Sequence, residues 1–458
     1  MVVTSFGIVW IVILIVAFIR GTNVTLKCLL FSSLFQAGAV FIIAEDKPLS
    51  PLLVSAVVYI CSCIIHYRKI VLKIPSFLAI LLIWVLVSMI SSFVAPIFFR
   101  GITYMECVDW EQYNRYDGHI ALWGLFVLLI YIICGIFVYN YARLEKNEID
   151  RMISFMIIFV FGVGVWHMLS AKHYIPNNEF IANFIFSNTT RKENISYFID
   201  IDISKRIYSS IFGIRFCGCF MEPSYCGGFL AMSFAYFVSK MRLNKKDCGL
   251  LLLILLMTIQ TFSATAYAAV AFAGILSLLV SGKKRYLTII AERGILVVMA
   301  SLAGMTCFGL WGAVERLIIN KSSTHSAYIR GLWNINAIQT FFDTYGIGLG
   351  YSNARGSSLL CTLPASLGLT GTVLFGFFVV SLLLYRNINM NEDDVEQRRF
   401  KLMFATVLTA MFVAISVLDY SIFWMSFYLC IMTKKNKVNK EFYIFEKNKK
   451  AFEIGGTK

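Results

Sequence analysis

Arg215 and Glu222 lie in the run Arg215-Phe216-Cys217-Gly218-Cys219-Phe220-Met221-Glu222-Pro223-Ser224-Tyr225, the densest cluster of polar and special residues in the chain. A guanidinium presents a planar fork that grips a phosphate through two parallel hydrogen bonds. A carboxylate can take the proton of a hydroxyl as it attacks. Pro223 suits the first position of a helix and disfavours helix at the residue before it, so Glu222 is predicted at the N-cap. There the positive helix end keeps its carboxylate ionised. On these residues alone two readings stand: an Arg215–Glu222 ion pair that closes a bundle, or a phosphate-binding arginine beside a general base.

A second group lies about a hundred residues on. Tyr328, Leu332, Ile335, Ile338 and Phe342 recur at helical spacing, while Arg330 and Asn334 share another face. The pattern predicts an amphipathic helix at a membrane surface. Arg330 either points into a cavity to hold an anion or is solvated on a packing helix. His325, with an unperturbed pKa near 6.5, is either a proton carrier that competes with Glu222 or a surface histidine without a role. Arg355 and Lys321 are reserve cations for an anion held here.

These residues need a scaffold, and composition dictates its class. The 458 residues are 59% hydrophobic and 15% charged, with a mean hydropathy of +0.74, far from the globular norm. The fold class expected is all-α and polytopic, with about 12 to 14 transmembrane helices of about 20 apolar residues each. The spans read 5–19, 26–44, 51–66, 76–99, 119–140, 152–170, 222–239, 249–261, 263–281, 294–312, 358–385, 402–417 and 419–432. Residues 1–433 form one membrane domain and 434–458 a basic tail. The first run follows an uncharged start and lacks a cleavage-site pattern, so it reads as a retained helix.

Threading these spans puts 28 of the 41 Lys and Arg residues on one side, including Arg143, Lys146, Lys240, Lys245, Lys246, Arg398, Arg399 and the tail. Positive charges near span ends stay cytoplasmic, so the tail is expected inside. The net charge of +15 is therefore a topology signal, and nucleic acid is not expected as a partner. The other side carries the large connections, about 100–118, 171–221 and 313–357, too rich in aromatics and Ile to be disordered. Function is expected there.

Several signals are set aside. Gly346-x-Gly348-x-Gly350 lacks the strand and helix of a dinucleotide site and reads as a turn or hairpin. The five His and twelve Cys show no zinc spacing, so neither metal nor cofactor is expected. Span centres are nearly without charge and no internal repeat is visible, which disfavours a transporter.

The Arg-x-x-Gly-x-x-x-Glu-Pro-Ser run from Arg215 to Ser224, opening a span after a long outside loop, resembles bacterial oligosaccharide repeat-unit polymerases of the Wzy type. His325-Ser-Ala-Tyr-Ile-Arg330 with Trp333, then Phe342 to Gly350 and Ser366 to Gly371, is similar to the other outside loop shared by O-antigen polymerases and ligases. The likeness covers roughly residues 150 to 385. It implies a membrane-embedded glycosyltransferase similar to the GT-C type, acting on undecaprenyl-diphosphate-linked oligosaccharides at the outer face of the bacterial inner membrane. The product would be O-antigen, capsule or another exopolysaccharide. A chain-length co-polymerase and a flippase would be its partners. Glu222 or His325 would be the base, Arg215, Arg330 and Arg355 the diphosphate ligands, and Tyr225 and Tyr328 further substrate contacts. A ligase of this superfamily is expected to carry a His where this chain has Ser357 and Ser358, which favours polymerase. A lipid-linked oligosaccharide flippase is the main alternative.

Overall fold

The computed structural model describes residues 2–43, 47–67, 70–99, 104–106, 111–113, 118–171, 174, 184–187, 215–240, 243–280, 325–354, 356–385 and 394–432. Helix dominates them. The helices are α1 (Ser5–Arg20), α2 (Thr22–Ser32), α3 (Pro51–His66), α4 (Ser76–Phe98), α5 (Gly118–Tyr141), α6 (Lys146–Ala171) and α7 (Pro223–Val238). After them come α8 (Lys245–Gln260), α9 (Ala264–Val280), α10 (His325–Asp343), α11 (Leu359–Leu384), α12 (Asp394–Ala414) and α13 (Ser421–Ile431). Among the described residues four helices, within α4, α5, α6 and α11, are long and apolar enough to cross a membrane, and α1, α3, α9 and α13 are shorter apolar helices. The span expected at 294–312, Lys321, Arg355 and the tail lie outside the described residues.

Helix starts follow local chemistry. Thr4 caps α1 by accepting from the Gly7 amide at 2.8 Å, and Ser50 caps α3 with Pro51 in the first turn. Asn244 and Asp247 close a reciprocal capping box on α8. The expected span 26–44 is a correction: α2 ends at Ser32, and Phe41–Ile43 (β2) pairs antiparallel with Val2–Val3 (β1) and Lys47–Leu49 (β3). Ser32 and Ser33 turn their hydroxyls onto the Leu29 and Leu30 carbonyls, each at 2.6 Å, at the point where the helix stops. Tyr104–Glu106 (β4) and Glu111–Tyr113 (β5) make a hairpin within the first large connection.

One helix is central. In α7 every residue from Cys226 to Val238 is buried, the mark of a helix surrounded by others. Small residues permit the approach: a Cβ on Gly227 would lie 2.5 Å from the Ala266 Cβ of α9, and one on Gly228 2.3 Å from the Tyr420 hydroxyl.

Polar contacts tie the helix ends into two groups. At one end the Tyr67 and Tyr141 rings meet at a tilt, 4.4 Å apart, Tyr139 and Tyr385 share a 2.8 Å hydrogen bond, and Lys27 meets Glu148 at 2.6 Å. The same end holds Lys240, which lies 2.9 Å from Asp247 and 3.1 Å from Asp150. This is the group of ends that the sequence threads to a single, basic side. At the other end lie Thr4, Val40, Ser50, Glu222, Phe262, Ser358 and Tyr420.

Candidate functional site

At the end opposite the basic one, the stretch 215–222 is an irregular strap laid over α6 and fastened to the turn after α8. Arg215 donates from Nε to the Thr261 carbonyl and from Nη2 to the Phe262 carbonyl, both at 2.9 Å. The Phe216 amide donates to the Gln260 carbonyl, also at 2.9 Å. A guanidinium on the last carbonyls of a helix satisfies acceptors that the helix cannot. Phe216 fills the slot left by Gly164, where a Cβ would approach its ring to 2.0 Å, and Gly218, at φ +58°, fits against Val160. Cys217, Cys219, Phe220 and Met221 are buried, and burial pushes the Cys219 thiol well above its ordinary pKa. It is a packing residue, not a nucleophile.

The strap delivers Glu222 to the top of α7. With φ −133° and ψ 149° it occupies the N-cap, and Pro223 follows in the first turn. Its side chain is exposed. The carboxylate accepts from the Ser224 hydroxyl at 3.1 Å. One turn on, the Tyr225 carbonyl accepts from the buried Tyr420 hydroxyl at 2.6 Å, and the two rings meet edge to face at 5.3 Å.

The turn between α12 and α13 that supplies Tyr420 is itself pinned. Trp424 Nε1 donates to the Leu418 carbonyl at 2.9 Å, and Ser421 Oγ donates to the Ser33 carbonyl. Asp419 sits exposed on this turn. The sequence marks it only as a hinge between two spans, because nothing nearby in the chain shows what surrounds it.

The second predicted group lies on α10, which packs on α11. Its apolar face, with Tyr328 at 53%, Ile335 at 62% and Phe342 at 65%, is exposed. Arg330 is half-buried on the face it shares with Asn334. The Asn334 side-chain oxygen accepts from the Ser357 amide at 2.9 Å and from its hydroxyl at 3.1 Å. His325 opens this helix. Among the described residues no hydrogen bond or ion pair links Arg330 to Glu222, so the two groups are held by separate contacts.

No protein-family model, curated protein or solved structure matches this chain.

The Gly346-x-Gly348-x-Gly350 turn is a clasp. Its glycines have φ of 76°, 85° and 94°, and Gly368 breaks α11 at φ 65°. The break exposes carbonyls that the clasp satisfies: Leu349 N–H donates to Ala365 at 3.0 Å and Gly350 N–H to Ser366 at 2.7 Å. Beyond the break, Leu369 N–H donates to Gly346 at 2.8 Å. Ser92 of α4 accepts from the Tyr351 amide at 2.9 Å, fixing the clasp to the bundle. The clasp thus seats α10 and the stretch after it on α4 and α11.

Proposed function

We propose that this chain is a polytopic bacterial inner-membrane glycosyltransferase of about thirteen spans, with its basic end in the cytoplasm. It joins undecaprenyl-diphosphate-linked oligosaccharide repeat units into a polysaccharide at the outer face. The observation that carries the reading is the exposed Glu222 carboxylate at the N-cap of the bundle's central helix, set there by a strap that Arg215 anchors. A carboxylate is costly near a bilayer unless it is used or paired, and here it stands exposed on a rigid mount.

In this reading Glu222 accepts the proton of the acceptor sugar's hydroxyl as that oxygen bonds to the donor's anomeric carbon. The bond from that carbon to the diphosphate oxygen breaks, and its electron pair leaves on the diphosphate. Fixed cations stabilise the charge that develops. Arg215 commits two of its N–H donors to backbone carbonyls, so Arg330 and Arg355 carry the larger share, while Tyr225 and Tyr328 flank the sugar. His325 remains the rival base. The similarity to polymerases in the two outside stretches supports the reading, as does the concentration of exposed polar groups away from the basic end.

A flippase is the second reading, favoured by the broken α11, since transporters use discontinuous helices. The size-separated glycan profile of a deletion strain distinguishes them. A polymerase is expected to leave single repeat units on the final acceptor and no ladder. Repeat units trapped on the cytoplasmic face would make it a flippase, and an unaltered ladder would refute both.

A further inference from the structure

The helices at the end that carries Glu222 are unequal in length. Ser50 of the α3 cap bonds the Tyr131 hydroxyl at 3.2 Å, yet from Tyr131 out to Gly118 α5 continues for roughly 20 Å. Gly218 packs on Val160, and α6 runs on to Ala171, roughly 16 Å further. From Ser92, under the clasp, α4 continues to Phe98 for roughly 9 Å. Helices α4, α5 and α6 therefore run on past the points at which they meet the clasp, the α3 cap and the strap.

Asp419 is exposed on a turn pinned by Trp424, Tyr420 and Ser421, and Trp424 packs at 5.1 Å on Tyr131 of α5, about two helical turns from Gly124. Tyr351 is 8% exposed. Its ring fills the slot at Gly124, where a Cβ would lie 2.6 Å from Cε1, and its hydroxyl makes no hydrogen bond among the described residues. Burial, and after it the charge of Asp419, push the Tyr351 hydroxyl's pKa up, so that phenol stays protonated and able to donate. Tyr420, next to Asp419, is bonded to Tyr225, one turn from Glu222. Two carboxylates and a phenol linked through these contacts suit a neutral ligand that offers several hydroxyls.

Resting on the glycosyltransferase reading, we propose that Asp419 and Tyr351 form a sugar-hydroxyl subsite that positions the acceptor unit beside Glu222. Asp419 accepts from ring hydroxyls and Tyr351 completes the contact. Neither exchanges a proton with the reacting atoms.

The test uses the full-length protein in membranes. Asp419→Cys, in a variant lacking the native cysteines, is exposed to a membrane-impermeant maleimide with and without lipid-linked repeat units extracted from the deletion strain. Labelling is expected from the outer side, and is expected to slow several-fold when the repeat units are added at a concentration above the roughly tenfold higher KM expected without the carboxylate. Absence of labelling, or labelling indifferent to the repeat units, overturns the subsite. In proteoliposomes, Asp419→Asn and Tyr351→Phe are expected to raise the KM for the repeat unit, by about tenfold for the charged contact, with little change in kcat. A fall in kcat at constant KM overturns the positioning role. Polymer lost on gene deletion but no protection at position 419 sinks the subsite alone, whereas polymer intact on deletion sinks the functional reading.

Discussion

Lys240 supports the most quantitative prediction. Its side chain is 9% exposed and meets Asp247, 6% exposed, at 2.9 Å, and Asp150, 26% exposed, at 3.1 Å. Its ammonium lies 4.5 Å from the Phe237 ring centre. The Tyr236 hydroxyl bonds Asp150, and the buried Arg399 sits over the Tyr236 ring at 5.4 Å. Two cations and two carboxylates thus balance where α6, α7, α8 and α12 meet. Lys240→Met keeps most of the volume and the contact with Phe237, but leaves Asp247 buried beside Asp150 without its cation. Removing one partner of a buried pair costs about 3–5 kcal/mol, and the partial exposure of Asp150 puts this case near the lower end.

Asp247→Asn alone leaves Lys240 paired with Asp150 and weakens the capping box, at about 1 kcal/mol. In the double variant the remaining charges balance again, so the two losses should fall short of additive by about 2 kcal/mol. Denaturant titration of the purified protein in one detergent, followed by tryptophan fluorescence, measures all four species. A Lys240→Met protein within about 1 kcal/mol of the parent, or a double variant additive within about 0.5 kcal/mol, would refute the reasoning.

Other outcomes follow from single contacts. Gly368→Ala, whose Cβ would fall 2.3 Å from the Gly346 and Ile347 carbonyl oxygens at a φ of +65°, is expected to abolish recovery of monodisperse protein. Gly376→Ala on the same helix, with nothing within 4 Å, should be recovered normally. Arg215→Lys loses the fork across Thr261 and Phe262, so both thermal stability and polymer yield should drop. Stability unchanged would show that the fork does not hold the strap. Glu222→Gln should abolish the polymer ladder at unchanged protein level while His325→Ala retains it, and the reverse pattern would move the base to His325. Tyr420→Phe, which deletes the bond to Tyr225, should cost about 1 kcal/mol in the same titration.

Hydropathy located the helices well where they are apolar and poorly where they are not. The charged first turns of α6 at Lys146 and of α12 at Asp394 extend these helices beyond the apolar spans, because a hydropathy window weighs transfer into lipid and not backbone continuity. Residues 33–43 read as part of a span because they are apolar, yet they form turns and a strand. Glu222 at an N-cap was legible, since Pro223 restricts its neighbour whatever the fold. The partners of Arg215 were not, because they are backbone carbonyls 46 and 47 residues away. Nor was the clasp. Three glycines spaced by two signal turns, but only the break at Gly368 shows what the turns are for.

The two ends of the bundle treat charge in opposite ways. At the basic end Lys240, Asp150, Asp247 and Arg399 neutralise one another in the interior, and nothing about that arrangement requires a ligand. At the other end Glu222 and Asp419 are left exposed, although each is carried on a backbone fixed by several hydrogen bonds. Ordering a segment costs conformational entropy, and a solvated carboxylate on a loose loop would serve solubility equally well. A rigid mount gains its advantage when the carboxylate must meet a partner in a defined geometry, because a prepaid ordering cost then raises affinity or rate. That reasoning favours the end carrying Glu222 and Asp419 as the proposed site independently of any sequence resemblance. Under the proposed function it also ranks the two residues: Glu222, at the head of the buried α7, would take the proton, and Asp419 would hold what Glu222 acts on.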